Sequence, residues 1–152
     1  MELSLDEIAG IVDIFGGLTN GELNTAMEEI AFRRDDSPVS QSWLDQKIEQ
    51  ATEEGILVRQ ESHDPPLLCV GPVAFPVEPD GAEDLPYILD IPERTVDRES
   101  LANELLQNME ADISDTMSSN QRTAYIELSY DIETWSGVDT SQLRDALDTN
   151  ES

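Results

Sequence analysis

The sequence predicts an α+β fold with a winged-helix-like amino-terminal half, and three observations support this prediction. Two capping boxes, Ser4–Glu7 and Thr19–Glu22, each open a stripe of apolar residues at helical spacing. A third periodic segment ends at Gly55. Two short apolar runs separated by a turn follow that glycine. Three short helices followed by a β-hairpin is the element order of a winged helix.

The three predicted helices have recognisable starts and ends. The first begins after Ser4 and stops at the pair Gly16-Gly17, and the second begins after Thr19 and stops before Pro38. Ser42 is predicted to cap the third helix. The predicted buried faces are Leu5, Ile8, Val12 and Phe15 in the first helix, Leu23, Met27, Ile30 and Ala31 in the second, and Leu44, Ile48 and Ala51 in the third.

The predicted hairpin follows the third helix directly. Its strands are Ile56–Val58 and Leu67–Val70, and the turn between them is Ser62–Pro66. The winged-helix-like unit is therefore predicted to span residues 1–71.

A proline-rich segment follows the hairpin, from Gly71 to Pro86, and a further apolar stretch lies between prolines at Leu85–Pro92. We expect the segment to be ordered because it holds apolar residues that would gain from burial, namely Val73, Phe75 and Val77. Residues 72–147 are predicted to pack onto the first unit, so that the chain forms one domain.

The carboxyl-terminal third is predicted to begin with a long helix that Asp97 caps and that ends around Ser118. The segment Ala124–Trp135 fits both a strand and a helix, and its alternation of apolar and polar residues favours a strand. Thr140–Leu147 is predicted to form a last short helix. Residues 148–152 are predicted to be a frayed tail.

The charge balance is extreme, with 34 acidic residues against 8 basic ones and a net charge of −26. Lys47 is the only lysine. Such a surface repels itself at low ionic strength, whereas at 1 M salt the Debye length falls to about 3 Å. Because the acids are spread over the whole chain and lysine is almost absent, the composition indicates adaptation to high intracellular salt. A nucleic-acid mimic is the rival explanation.

Cellular location is predicted from what the sequence lacks. It shows neither a signal peptide nor an apolar run of transmembrane length, so we expect a cytoplasmic protein without membrane association. The single cysteine, Cys69, has no partner for an internal disulfide and lies in an apolar run, which indicates a small buried residue.

Two groups of motifs resemble a family of small, acidic, uncharacterised haloarchaeal proteins. The first runs from Leu5-Asp6-Glu7-Ile8-Ala9-Gly10 to Thr19-Asn20-Gly21-Glu22-Leu23, and the second comprises Gly71-Pro72-Val73-Ala74-Phe75-Pro76 and Glu83–Pro92. The resemblance covers about residues 1–118. It implies a haloarchaeal source and a shared fold, and it assigns no activity and no functional residue.

Neither catalysis nor metal binding is predicted, and no cofactor is expected. The only histidine, His63, falls at the predicted hairpin tip, where an acid to orient its ring is not expected. The acidic loop between Glu78 and Asp84 lacks the spacing of a calcium-binding loop, and Cys69 and His63 have no further soft ligands for zinc. We therefore expect a protein that is not an enzyme and for which no small-molecule substrate is evident.

Protein binding is the favoured function. Trp43 is expected on the outer side of the third helix, away from that helix's buried face, and Trp135 lies near the carboxyl end. Because exposed tryptophans often anchor interfaces, both are candidate partner-binding residues. The sequence therefore predicts a non-enzymatic interaction module, an adaptor or regulator that binds a protein partner.

The alternative is a salt-adapted winged-helix transcription regulator that binds DNA. Neutralising phosphates requires clustered Lys or Arg. The candidate patch consists of four cations that could lie beside the third helix, namely Arg33, Arg34, Lys47 and Arg59. Acids flank the patch, so a set of local ion pairs is the competing interpretation.

Overall fold

A computed structural model describes residues 2–114 and 116–149. The contacts divide the chain into two compact units, Met1–Val96 and Asp97–Ser152, called here the first and the second unit. The described residues form seven helices and one three-stranded antiparallel sheet, so the predicted α+β class is confirmed. By its contacts the first unit extends beyond the predicted end at residue 71. That residues 72–147 pack onto it as one domain stays a prediction.

The capping boxes set the first two helices. Helix α1 is Leu5–Phe15 and helix α2 is Asn20–Arg33, and in each the N-cap hydroxyl accepts a backbone hydrogen bond while the glutamate three residues later returns one. Gly16 ends α1 in the left-handed conformation, as its position predicts. Helix α3 is Gln41–Glu53. Its N-cap is Ser40, so the prediction of Ser42 was wrong by two residues.

The sheet contains one strand more than the sequence indicates. Strands β2 (Leu57–Gln60) and β3 (Leu67–Val70) form the predicted hairpin, with Leu57 opposite Val70. Strand β1 (Leu18–Thr19) pairs with the other edge of β3, which gives the order β1-β3-β2. Two residues are too few to show an alternating pattern, which is why β1 was not predicted.

The core of the first unit lies between its helices and the sheet. Most of the predicted helix faces are confirmed as buried, including all those predicted for α2 and α3, while Leu5 is only partly buried against the core. The largest fully buried side chains of the core include Phe15, Ile8, Ile11, Leu18, Leu23, Met27, Ile30, Leu44, Ile48 and Leu57.

Residues 72–93, called here the 72–93 segment, run along α1 to the end of α2. The amide of Val77 donates to the carbonyl of Asp6 in α1 at 3.0 Å. The side chain of Arg34, at the end of α2, donates from Nε to the carbonyl of Asp80 at 2.8 Å. The short helix α4 (Leu85–Ile88) follows and buries Leu85 completely. The segment is thus ordered by backbone contacts and by a few buried side chains.

Arg94 fixes the chain after the 72–93 segment to the start of α2. Its guanidinium reaches both carboxylate oxygens of Glu22, at 2.6 and 3.2 Å, and the carbonyl of Gly17 at 2.9 Å. Burial raises the pKa of Glu22, but hydrogen bonds from Arg94 and from the backbone of Thr19 outweigh it and hold that pKa below its ordinary value. The amide of Arg94 also donates to Phe15 at the end of α1.

The second unit consists of helices α5 (Arg98–Asp112), α6 (Ser119–Ser136) and α7 (Ser141–Thr149), which share one apolar cluster. Asp97 caps α5 as predicted, but α5 ends at Asp112 and not near Ser118. The preference for a strand at Ala124–Trp135 was wrong, because these residues lie within α6. The predicted last helix is confirmed, and of the predicted tail Asp148 and Thr149 belong to α7 while 150–152 lie outside the described residues.

A polar network joins α6 to α7. Glu133 Oε1 accepts from the amide of Thr140 at 3.0 Å and from Arg144 Nη2 at 3.0 Å. These hydrogen bonds, that of the Thr140 amide first, hold the pKa of Glu133 below its ordinary value. Arg144 also donates to the hydroxyls of Thr140 and Ser129, and both of these residues are buried. The network satisfies polar groups that the packing of the two helices removes from water.

Candidate interaction surface

Five large apolar side chains of the first unit are exposed. Phe32, Phe75 and Tyr87 keep 80%, 77% and 89% of their surface in solvent, and Val77 and Ile88 are also exposed. Four of these five residues belong to the 72–93 segment. The prediction that Phe75 and Val77 are buried was therefore wrong. Single exposed apolar residues are ordinary, but aromatic rings exposed to this degree are typical of binding surfaces.

Well-anchored neighbours hold these rings in place. Leu85 is fully buried in the core of the first unit and anchors α4, while Tyr87 in the same helix is exposed. Phe75 lies two residues before the amide that binds α1. Phe32 lies in the last turn of α2, off the buried stripe of that helix. The rings are thus carried on ordered backbone, which lowers the entropic cost of binding.

Carboxylates dominate the 72–93 segment that carries two of these rings, while Phe32 is followed by Arg33 and Arg34. The 72–93 segment contains no lysine, arginine or histidine, and its six carboxylates are all exposed, namely Glu78, Asp80, Glu83, Asp84, Asp90 and Glu93. The nearest cation that pairs with one of them is Arg33, whose Nη1 lies 3.5 Å from Asp84 Oδ2. Two exposed aromatic rings and six exposed carboxylates therefore lie along one segment. We call Phe32, Phe75, Tyr87 and the carboxylates of the 72–93 segment the acidic aromatic surface.

Three other aromatic rings each have a lysine or arginine of the same chain over their face. Lys47 lies 5.7 Å from the ring centroid of Trp43, and Arg98 lies 5.8 Å from that of Trp135. Arg144 lies 4.2 Å from the ring centroid of Tyr130. Within residues 2–114 and 116–149, no cation lies over Phe32, Phe75 or Tyr87. These three rings keep their faces open.

The four cations of the predicted nucleic-acid patch lie at three places in the first unit. Arg33 and Arg34 end α2, where Arg33 pairs with Glu29 and Asp84 and Arg34 binds the carbonyl of Asp80. Lys47 lies on α3 over Trp43, and Arg59 is exposed on β2. Three of the four therefore make contacts within the chain: Arg33 in ion pairs, Arg34 with a carbonyl and Lys47 with an aromatic ring.

The exposed face of α3 is acidic. It presents Asp45, Glu49 and Glu53 with the glutamines Gln46 and Gln50 between them. No cation lies among these five side chains. A helix that entered the major groove with this face would bring its carboxylates towards the phosphates, which is unfavourable.

The two tryptophans are less exposed than their predicted role requires. Trp43 is half-buried and packs against the core of the first unit, so its expected place on the outer side of α3 holds only in part. Trp135 is half-buried against the apolar cluster of the second unit. That either binds a partner stays a prediction. Sequence reasoning missed Phe32, although its position off the apolar stripe of α2 was a signal that it faces solvent.

Three side chains of the types that act in catalysis, His63, Cys69 and Tyr125, lie in the hairpin turn, in β3 and in α6. His63 Nδ1 lies 2.7 Å from the carbonyl of Pro65 in the hairpin turn, and Cys69 is buried in β3. Burial and a hydrogen bond to Asp112 raise the pKa of Tyr125 to about 12, so its phenol stays protonated at neutral pH. Among the described residues, no three His, Cys, Asp or Glu side chains are grouped so that they could hold a metal ion.

Fold and surface together define an acidic α+β protein of two compact units with an exposed aromatic segment. A protein family of unknown function, DUF7109, matches residues 6–152, and the chain belongs to this family. The match extends past residue 118, where the resemblance noted from the sequence motifs was expected to end. Neither curated proteins nor solved structures gave a match. In the described part of the chain, no helix combines the length and the apolar character needed to cross a membrane.

Proposed function

We propose that this protein is a non-enzymatic interaction module, an adaptor or regulator that binds a protein partner through the acidic aromatic surface. The observation that carries this proposal is the exposure of Phe32, Phe75 and Tyr87 on ordered backbone. Aromatic side chains supply large contact area at low conformational cost, which is why they dominate the energetics of protein interfaces.

A winged-helix arrangement of the first unit is part of the proposal. The element order α1-β1-α2-α3-β2-β3 and the sheet order β1-β3-β2 support it. In such an arrangement α3 would be the helix that contacts DNA in regulators of this type. The acidic exposed face of α3 favours a function other than DNA binding for this arrangement.

The proposal is tested by capturing partners from a haloarchaeal lysate in multimolar KCl, after nuclease treatment. We expect one protein partner whose recovery falls by about thirtyfold or more when Phe75→Ala and Tyr87→Ala are combined, because two interface anchors that contribute more than about 1 kcal/mol each would be lost. Both side chains are exposed, so the double variant should unfold at the same temperature as the unchanged protein.

Two matched variants sharpen this test. Tyr130→Ala removes an exposed tyrosine of the second unit and should leave recovery unchanged, while Trp43→Ala tests the residue that the sequence suggested. A partner lost only with Trp43→Ala would move the binding surface to α3. Recovery of specific DNA, lost when Arg33, Arg34 and Lys47 are neutralised, would replace the proposal with the transcription-regulator alternative.

We also propose that the protein is adapted to high salt and comes from a haloarchaeal source, which its net charge of −26 supports. The midpoint temperature of unfolding should rise steeply as KCl increases from about 0.01 M to above 1 M, since the Debye length then falls from about 30 Å to about 3 Å. Circular dichroism measures this midpoint. Sucrose at equal osmolality should give a smaller rise, because it leaves the charges unscreened. A midpoint that is highest in dilute buffer would contradict the adaptation.

A further inference from the structure

We infer that the partner of the acidic aromatic surface presents an arginine-rich segment with apolar residues, an inference that rests on the proposed protein-binding function. Charge complementarity is its first argument. The 72–93 segment has six exposed carboxylates and no cation of its own, and Arg33 of α2 pairs with one of them, Asp84. A partner segment that buries Phe75 and Tyr87 would lie along the same stretch of chain as these carboxylates. A basic segment neutralises them, whereas an acidic or purely apolar one leaves them repelled or desolvated.

The open faces of the aromatic rings are the second argument, and they favour arginine over lysine as the basic residue of the partner. A guanidinium stacks on an aromatic face while it donates to a carboxylate, and the protein's own Arg144 does both, over Tyr130 and towards Glu133. The acidic aromatic surface supplies the same two acceptors, ring and carboxylate, and within the described residues no cation of the chain lies over its three rings. An arginine of the partner would complete the arrangement at Phe32, Phe75 or Tyr87.

The acidic face of α3 separates this inference from general attraction by a negatively charged protein. It carries three carboxylates but no exposed aromatic ring among them. If overall charge alone attracted basic partners, neutralising the carboxylates of α3 would weaken binding as much as neutralising those of the 72–93 segment. If rings and carboxylates act together, only the carboxylates of the 72–93 segment affect binding.

The test measures the binding of three labelled amphipathic helical peptides to the full-length protein by fluorescence anisotropy in multimolar KCl, where long-range attraction is screened. The peptides share a leucine face and differ only in their charged residue, which is arginine, lysine or glutamate. We expect the arginine peptide to bind most tightly, the lysine peptide severalfold more weakly and the glutamate peptide not at all. Tyr87→Ala should weaken binding of the arginine peptide about tenfold.

Neutralising carboxylates provides the matched control. Glu78→Gln combined with Glu83→Gln should weaken binding of the arginine peptide, while Glu49→Gln combined with Glu53→Gln on α3, which removes the same charge, should not. Equal effects of the two pairs, or no effect of Tyr87→Ala, would overturn the inference. Binding of the glutamate peptide that depends on Tyr87 would also overturn it, yet would leave the protein-binding function standing. If no peptide binds, the inference fails, and the partner capture decides the proposed function separately.

Discussion

Replacing Gly10 with alanine should lower the free energy of unfolding of the first unit by about 3 kcal/mol. Gly10 lies in the middle of α1 and is buried, and a methyl group there would overlap the carbonyl oxygen and carbon of Val77. The amide nitrogen of Glu78 would lie 3.0 Å from the same methyl group. Because these are backbone atoms, they cannot turn away, and the 72–93 segment must leave α1 or α1 must shift.

Hydrogen–deuterium exchange of the α1 amides measures this loss within the first unit. Gly21→Ala is the matched control, since it is also a glycine-to-alanine change in a helix, but nothing lies within 4 Å of the added methyl group. It should stabilise the protein by about 0.5–1 kcal/mol, through the higher helix propensity of alanine. If both variants are stabilised, the close approach of the 72–93 segment to α1 does not exist.

The same variant connects stability to binding. The acidic aromatic surface owes its geometry to the contact between Val77 and α1 and to the buried anchor Leu85. Gly10→Ala disturbs the first of these and leaves Phe75 and Tyr87 chemically intact. A loss of partner recovery with this variant would show that the rings act from a fixed arrangement and not merely as exposed apolar groups.

Local signals explain why much of the first unit could be predicted. The capping boxes at Ser4 and Thr19 and the left-handed Gly16 each act within a few residues, so the starts of α1 and α2 and the end of α1 could be predicted from the sequence. The hairpin strands were apparent for the same reason. Strand β1 exists only because β3 lies beside it, which no local pattern of Leu18 and Thr19 could indicate.

The candidate surface depended on long-range contacts. In the 72–93 segment the prolines interrupt any periodic pattern, and the path of the chain is set by contacts distant in sequence, such as the hydrogen bond from the amide of Val77 to the carbonyl of Asp6. Phe75 and Leu85 are both apolar, yet one is exposed and the other fully buried. Hydrophobicity alone therefore could not assign their roles.

The segment misassigned as a strand shows a different limit. Ile126, Leu128 and Tyr130 alternate with polar residues, but the buried residues of α6 are Arg122, Ser129 and Ile132, which follow helical spacing. Two of those three are polar, so the helix face could not be recognised from hydrophobicity. The capping box of Ser118 and Gln121, which the sequence does contain, was the stronger signal.

Arg122→Met should lower the free energy of unfolding of the second unit by about 3 kcal/mol, because the buried carbonyl of Leu147 and the partly buried carbonyl of Ser114 would both lose a charged donor. Arg122 is only 5% exposed. Its Nη1 donates to the carbonyl of Leu147 in the last turn of α7 at 2.8 Å, and its Nη2 donates to that of Ser114, just after α5, at 3.2 Å. One side chain on α6 thus satisfies the carboxyl-terminal ends of both neighbouring helices.

Hydrogen–deuterium exchange of the α5, α6 and α7 amides measures this loss of stability. Arg98→Met is the matched control, because Arg98 also donates to a carbonyl in the second unit, that of Trp135, but is exposed. It should change the free energy of unfolding by less than about 0.5 kcal/mol. Equal effects of the two substitutions would mean that burial of the Arg122 guanidinium contributes nothing.

The chain has seven arginines and a single lysine, and Arg122→Lys tests whether the site of Arg122 requires an arginine. Arg94, Arg122 and Arg144 each donate from two guanidinium nitrogens to separate acceptors. A lysine ammonium is one point of charge and cannot span the carbonyls of Leu147 and Ser114 in the same way. We therefore expect Arg122→Lys to recover only part of the loss seen with methionine. Full recovery would mean that charge, and not the forked geometry of arginine, is what this site requires.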